Sequence, residues 1–202
     1  MNTYTIINIG RQFGSGGHII GQKLAKELDF AFYDKELITI AAKESGFNAQ
    51  FFEKMDEKKK IGLFGGFFGL WSGSMADEYC NYSLSNESLF LIQSEVILKL
   101  ASERPAIFVG RCADYILRDN PQCFNVFITS NQEDRIQRVM EREKLPRKKI
   151  ISLIEKTDRN RAKYYNYFTD KTWGYAQSYH LCINSSLLGI EQTIQLIKQM
   201  TC

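Results

Sequence analysis

Residues 9–18 read Ile-Gly-Arg-Gln-Phe-Gly-Ser-Gly-Gly-His and follow a short β-branched run that begins at Tyr4. Such a run, ending at a glycine, indicates a buried strand. After the glycines, Ile20, Leu24 and Leu28 recur every four residues, as on the buried face of a helix. Glycine lets the backbone approach an anion, and a helix N-terminus offers unpaired N–H groups. The stretch therefore predicts a strand, a turn and a helix, with phosphate bound by Gly14, Ser15, Gly16, Gly17 and His18.

The turn departs from the standard phosphate-binding pattern G-x-x-x-x-G-K-[ST]. Counting from Gly16, the lysine position holds Gly17 and the hydroxyl position holds His18. The missing lysine removes a point charge and leaves the backbone amides in place. Arg11, His18 or a later arginine are the candidates to supply that charge. A tight turn that binds no ligand is the alternative that the turn alone leaves open.

The remaining chain alternates short apolar runs with helical patterns. Further strands are predicted near residues 30–33, 106–109, 124–128 and 180–183, and helices at 89–100, after Ser130, after Pro146 and around 190–197. Ser130 and Glu133 have the spacing of a capping box for the helix that follows them. This order predicts one α/β domain over residues 1–202, with a parallel sheet of about five strands and helices on both faces. Ligands bind such sheets beyond the carboxyl ends of the strands.

Composition excludes several classes of protein. The chain has 202 residues, 26 basic and 23 acidic side chains, and a net charge of +3, which does not suggest a nucleic-acid-binding protein. No apolar stretch reaches the roughly 20 residues that span a bilayer, and the N-terminus shows no signal peptide. The five cysteines are scattered without a C-x-x-C pair. We therefore expect a cytosolic protein with reduced thiols and without a structural zinc site.

Arginines are concentrated between residues 135 and 161. Planar guanidinium groups bind phosphate oxygens in pairs and stay charged, so they suit phosphate chemistry. For Arg135 and Arg138, a solvated helix face paired with acidic neighbours is the favoured interpretation. Three others lie in helices or in a turn, and their spacing alone assigns them no role: Arg142, Arg147 and Arg161.

Five blocks of sequence resemble the cytidylate kinase-like family: residues 9–18, 32–38, 109–117, 158–165 and 179–186. The resemblance implies a three-layer P-loop fold, a helical insert for a nucleoside monophosphate at about 45–88, and a lid at about 140–150. It implies ATP and Mg²⁺ as cofactors, with the metal held through the phosphates and Ser15 or Asp34 as its candidate protein ligands. It also implies that Arg111 contacts the acceptor phosphate. Through the place of the lid, it favours catalytic roles for three further arginines: Arg142, Arg147 and Arg161.

The sequence departs from the family pattern at two positions. Gly17 replaces the loop lysine, and Cys112 replaces the aspartate of a Gly-Arg-Asp. Asp114 and Asp34 are the nearby candidates for metal or acceptor contacts. Cys112 is expected to be a small buried residue at a helix start rather than a nucleophile. Asp34 and Lys35, which follow the second strand, are candidate acceptor-binding residues, and a plain helix start with Asp34 as its N-cap is the alternative.

The segment from Ile61 to Trp71 mixes aromatic residues with glycine. We expect a flap over the acceptor site, with a homodimer contact or a membrane-surface segment as alternatives. The sequence thus predicts an ATP-dependent phosphotransferase acting on a nucleoside monophosphate. A nucleotide sensor without transfer, or a kinase for an unrelated small acceptor, stays open.

Overall fold

The computed structural model describes residues 4–35, 38 and 86–201. Nearly all of the predicted insert at 45–88, including the glycine and aromatic segment, lies outside these residues, so its predicted roles stay predictions.

Five strands and six α-helices follow one another in the described residues, and the last helix is kinked at Gly189. In chain order they are β1 (Ile6–Arg11), α1 (Gly17–Leu28), β2 (Ala31–Tyr33), α2 (Asn86–Glu103), β3 (Ala106–Val109), α3 (Ala113–Ile116), β4 (Cys123–Thr129), α4 (Gln132–Glu143), α5 (Arg147–Thr169), β5 (Leu181–Asn184) and α6 (Ser185–Thr201). None of these helices is long and apolar enough to cross a membrane.

The strands form one parallel sheet in the order β2-β3-β1-β4-β5. This confirms the predicted α/β class and strand number. Because β1 is central, the turn that follows it lies between the ends of β3 and β4. Ile9 is in register with Val109, and Arg11 with Ile128. Arg11, Gly110 and Ser130 therefore meet at the same edge of the sheet.

The sheet is covered on both faces because side chains alternate along each strand. Ile6 packs with the cluster that includes Val96 of α2. Ile7 packs on the opposite face, with Leu24 of α1 and Ile197 of α6. The chain thus has the three layers that were predicted.

A third apolar cluster joins α4 and α5 to the glycine turn. Phe13 of the turn is 4% exposed and packs with buried residues of both helices: Ile136, Val139, Ile150, Leu153 and Ile154. The arginine-rich helices therefore rest directly on the turn.

One local prediction meets a different structure, and a second stays a prediction. The capping box at Ser130 is wrong: α4 is capped by Asn131 without a side-chain hydrogen bond, because the Ser130 hydroxyl bonds to Ser186 and to Arg138 instead. The segment 140–150 comprises the end of α4, a turn in which Lys144 has a φ of 53°, and the start of α5. Its role as a lid stays a prediction.

Candidate functional site

The glycine turn has a backbone that only glycine adopts readily. Gly14 and Gly16 have φ values of 80° and 82°. A Cβ on Gly14 would lie 2.8 Å from the backbone oxygen of Arg135, and one on Gly16 would lie 2.5 Å from the Cδ1 of Ile190. Neighbouring elements thus close on the turn from two sides. At its end α1 begins without a side-chain cap, so its first N–H groups and its dipole face the turn.

Ser15 is fully buried in this turn. Its carbonyl oxygen accepts a hydrogen bond of 2.7 Å from the Ser185 hydroxyl. Its own hydroxyl has no hydrogen-bond partner among the residues that the structure describes. A buried polar atom without a partner is costly, so an anion in the turn would satisfy it.

Two side chains from the arginine-rich helices clamp Phe13. The Phe13 N–H donates to Asp158 Oδ1 at 2.7 Å, and Arg135 Nε donates to the Phe13 carbonyl oxygen at 2.7 Å. Arg135 Nη2 also pairs with Asp158 Oδ2. Both peptide groups of the turn residue are thereby tied to α4 and α5.

The solvated interpretation of Arg135 and Arg138 is therefore wrong. Arg135 is only 8% exposed. Arg138 Nη1 donates to the Gly14 carbonyl oxygen at 3.1 Å and to the Ser130 hydroxyl at 2.9 Å. Helical spacing shows which residues share a face, but it does not show that this face meets a turn more than 120 residues earlier.

Three of the predicted arginines come together although they lie on three separate elements. Arg11 ends β1, Arg111 follows β3 and Arg161 lies on α5; Arg161 Nη1 donates to the Arg11 carbonyl oxygen at 3.0 Å. Burial lowers the pKa of Arg11 well below its usual value, and the charges of Arg161 and Arg111 add to this effect. Burial also lowers the pKa of Arg161, to about 10. Bringing three cations together is unfavourable without an anion, so the cluster fits a phosphate group.

Arg111 occupies an unusual backbone position. Its φ is 57°, in the left-handed region. Its guanidinium carbon lies 5.4 Å from the centre of the Tyr164 ring. Its Nε is buried and has no hydrogen-bond partner in the described chain. The left-handed turn and the ring therefore hold this guanidinium beyond the end of β3.

Arg142 and Arg147, the other two predicted arginines, lie in different surroundings. The guanidinium of Arg142 lies 4.9 Å from the Phe13 ring centre, beside that of Arg161 at 5.4 Å, and it also pairs with Glu143. Arg147 instead forms a bidentate pair with Glu133, at 2.6 and 2.7 Å, with half of its side chain exposed. Arg142 is thus packed on the turn residue, whereas Arg147 contacts a neighbouring helix at the surface.

His18 and Asp34 connect the glycine turn to the end of β2. His18 Nε2 lies 3.0 Å from Asp34 Oδ2, and it is the donor when the carboxylate is ionised. Asp34 is 7% exposed. The next residue, Lys35, is partly buried. The structure thus brings the predicted phosphate-binding and acceptor-binding residues into direct contact.

Sequence reasoning assigned no individual role to Asp158 or Tyr164. The Tyr164 ring packs tilted against Phe168 and edge-on against Phe90, with ring centres 4.7 and 6.4 Å away. Its hydroxyl donates to the buried Gln93 at 3.3 Å. The signal for both residues was their place in the family block 158–165.

Cys112, which replaces the aspartate of Gly-Arg-Asp, and the nearby Asp114 are both held within the protein. Cys112 is buried at the start of α3, and burial raises its pKa to about 12, which confirms the predicted small buried thiol. Asp114 accepts a hydrogen bond of 2.7 Å from the Tyr165 hydroxyl, and burial raises the pKa of the carboxyl group. Among the described residues there is no group of three His, Cys, Asp or Glu side chains that could hold a metal ion.

Comparison with known proteins identifies the family of this chain. The model of the cytidylate kinase-like family matches residues 6–187, from β1 to the start of α6. The chain belongs to the cytidylate kinase-like family. A search of curated proteins found no match for this family member.

Solved structures show the same fold. An uncharacterized protein from Eubacterium ventriosum is 27% identical, with a TM-score of 0.71 and 97% of each chain covered. Shikimate kinase from Bacteroides thetaiotaomicron is 13% identical, with a TM-score of 0.52 and 96% of each chain covered. Shikimate kinase from Acinetobacter baumannii, solved with shikimate, is 14% identical, with a TM-score of 0.51 and 98% and 93% covered. This cytidylate kinase-like chain thus has the fold of P-loop kinases.

Proposed function

We propose that this protein transfers the terminal phosphoryl group of ATP to a nucleoside monophosphate or a similar small phosphate-bearing acceptor. The observation that carries the proposal is the cluster of Arg11, Arg111 and Arg161 at the uncapped N-terminus of α1. Phosphoryl transfer depends mainly on positioning and on neutralising charge. Membership of the cytidylate kinase-like family supports the reaction type.

The glycine turn is the proposed site of the donor phosphates. The N–H groups that begin α1 face the same turn as the Ser15 hydroxyl, which has no partner among the described residues. Both features fit a polyphosphate better than an empty turn, which would leave these groups unpaired. Mg²⁺, when bound with ATP, neutralises charge between the phosphates, and Ser15 and Asp34 are its candidate protein ligands.

Arg111 is the proposed contact for the acceptor phosphate. It follows β3, the strand between β1 and β2, so its backbone lies between the strand ends that lead to the glycine turn and to Asp34. Its buried Nε lacks a partner in the described chain. Asp34 and Lys35 are proposed to bind the rest of the acceptor. Arg142 and Arg161, stacked on Phe13, would stabilise the group in transfer, while Arg147 would have to leave Glu133 to take part.

Acceptor screening by phosphate-resolved NMR, with ATP and Mg²⁺, tests the reaction. We expect transfer to at least one nucleoside monophosphate and a fall in turnover of about 10- to 100-fold for Arg111→Ala, the value of one charged phosphate contact. Arg118→Ala is the matched control, because this nearby arginine is exposed and stacks on Tyr115. Turnover that Arg111→Ala leaves unchanged would remove Arg111 from the reaction.

A nucleotide sensor without transfer is a second candidate, supported by glycine in place of the loop lysine. It predicts ATP binding in calorimetry with no product on any acceptor. A kinase for an unrelated acceptor is the third, supported by Cys112 in place of the aspartate. It predicts product only on acceptors that are not nucleotides.

A further inference from the structure

Arg11 and Gly17 are the two positions at which the turn departs from the phosphate-binding pattern in opposite ways: one gains a cation and the other loses one. When G-x-x-x-x-G-K-[ST] is placed with its second glycine on Gly16, its first glycine falls on residue 11 and its lysine on residue 17. This chain has arginine where the pattern has glycine, and glycine where it has lysine. The turn has lost one cation and gained another.

The structure shows why arginine at residue 11 goes with glycine at residue 17 in this chain. A Cβ on Gly17 would lie 2.6 Å from the Cβ of Arg11 and 3.0 Å from its Cγ. Real Cβ atoms essentially never approach that closely, so the Arg11 stem occupies the space in which any side chain at residue 17 would begin. Arginine at residue 11 and lysine at residue 17 therefore exclude each other.

The far end of the same side chain meets a second glycine. A Cβ on Gly110 would overlap Nη1 of Arg11 and lie 3.0 Å from its Cζ. Arg11 thus runs from the first turn of α1 to the end of β3 between two residues without side chains. The guanidinium reaches the part of the sheet edge where Arg111 also lies.

Within the part of the chain that the structure describes, the charges of Asp34 and Asp158 oppose those of two arginines at the Arg11 guanidinium. It donates no hydrogen bond there, and the strongest charges acting on it are those of Arg161 and Arg111. The nearer carboxylates already have partners: Asp34 contacts His18, and Asp158 contacts Arg135. A buried guanidinium that donates no hydrogen bond within the described chain is stabilised by binding an anion.

We propose that Arg11 replaces the P-loop lysine and binds the terminal phosphates of the donor from the strand side of the turn. This rests on the proposed function. Lysine offers phosphate a point charge, whereas the planar guanidinium offers two parallel N–H groups to two oxygens. Residue 17 is then glycine because the Arg11 side chain leaves no space for a side chain there.

Binding measurements on paired variants test this exchange. The probes are inorganic tripolyphosphate and ATP with Mg²⁺, titrated by calorimetry. Arg11→Gln keeps the Cβ and Cγ that pack against Gly17 but loses the charge, and we expect about 10- to 100-fold weaker binding of both probes. Gly17→Lys alone should bind weakly, because its side chain collides with Arg11.

The decisive variant carries Arg11→Gly together with Gly17→Lys. Glycine at residue 11 is needed because the collision involves the Arg11 Cβ itself. We expect this double variant to bind both probes within a few-fold of the original protein, and Arg11→Gly alone to bind at least 10-fold more weakly. A purely structural role for Arg11 gives no such recovery. Circular dichroism melts confirm that each variant is folded.

Two results would overturn the inference: Arg11→Gln that binds tripolyphosphate as tightly as the original protein, or a double variant that binds no better than Arg11→Gly. If Arg11→Gly does not fold, Arg11→Gln decides alone. A different result would show that only the proposed function is wrong. The original protein would then bind both probes in an Arg11-dependent way, but no acceptor would be phosphorylated. If the original protein binds neither probe, both proposals are wrong.

Discussion

Replacement of Asp158 by alanine removes the carboxylate that ties the glycine turn to both helices packed against it. Asp158 accepts the Phe13 N–H at 2.7 Å and pairs with Arg135. After the change the Phe13 N–H loses its acceptor. Arg135 remains buried, held only by its hydrogen bond to the Phe13 carbonyl oxygen.

The burial of this pair determines the size of the effect. The side chains of Arg135 and Asp158 are 9% and 17% exposed. Removing one partner of a buried ion pair costs about 3–5 kcal/mol, because the other charge stays desolvated. For a chain of this size each kcal/mol lowers the melting temperature by about 2–4 °C. We therefore expect the midpoint to fall by roughly 6–20 °C.

Thermal and urea unfolding measure the change, and Glu133→Ala is its matched control. Glu133 also forms an arginine pair, with Arg147, between the same two helices, but that pair is exposed. Exposed pairs contribute little, so Glu133→Ala should leave the midpoint almost unchanged. Arg135→Met combined with Asp158→Ala should cost less than the sum of the single changes, since each removes the same pair. Equal midpoints for Asp158→Ala and Glu133→Ala would refute the reasoning.

Two further predictions concern the turn after β3. Burial raises the pKa of Asp114 in the folded state, so its contribution to stability is present at low pH and is lost as pH rises through the raised pKa. As pH rises from about 4, the ordinary pKa of an aspartate, the melting temperature of Asp114→Asn should therefore rise relative to that of the original protein. A difference that stays constant with pH would contradict this. Burial raises the pKa of Cys112 to about 12, so iodoacetamide at pH 8 should modify the exposed Cys182 first. Peptide mass spectrometry measures the two rates, and equal rates would contradict the prediction. Labelling in guanidinium chloride, where both thiols are exposed, is the control.

The sequence by itself determined the elements and their class. β-branched runs that end in glycine predicted β1 and β3, and residues spaced by four predicted α1, because these signals come from neighbouring residues. The alternation of strands and helices then required a parallel sheet, whose carboxyl edge collects the strand ends. Arg11 and Arg111 follow two of these strands; Arg11 was a candidate to supply the missing lysine charge, and the family resemblance pointed to Arg111.

Only the tertiary structure decided which charged groups meet. Arg135 and Arg147 both lie on helices with acidic neighbours and look alike in sequence, yet one is buried against Phe13 and the other is paired at the surface. Phe13 and Asp158 are 145 residues apart, and their contact exists because the sheet order places α4 and α5 over the turn after β1. Local spacing shows which side chains share a face of a helix. The desolvation and pairing that assign their roles depend on what the fold brings against that face.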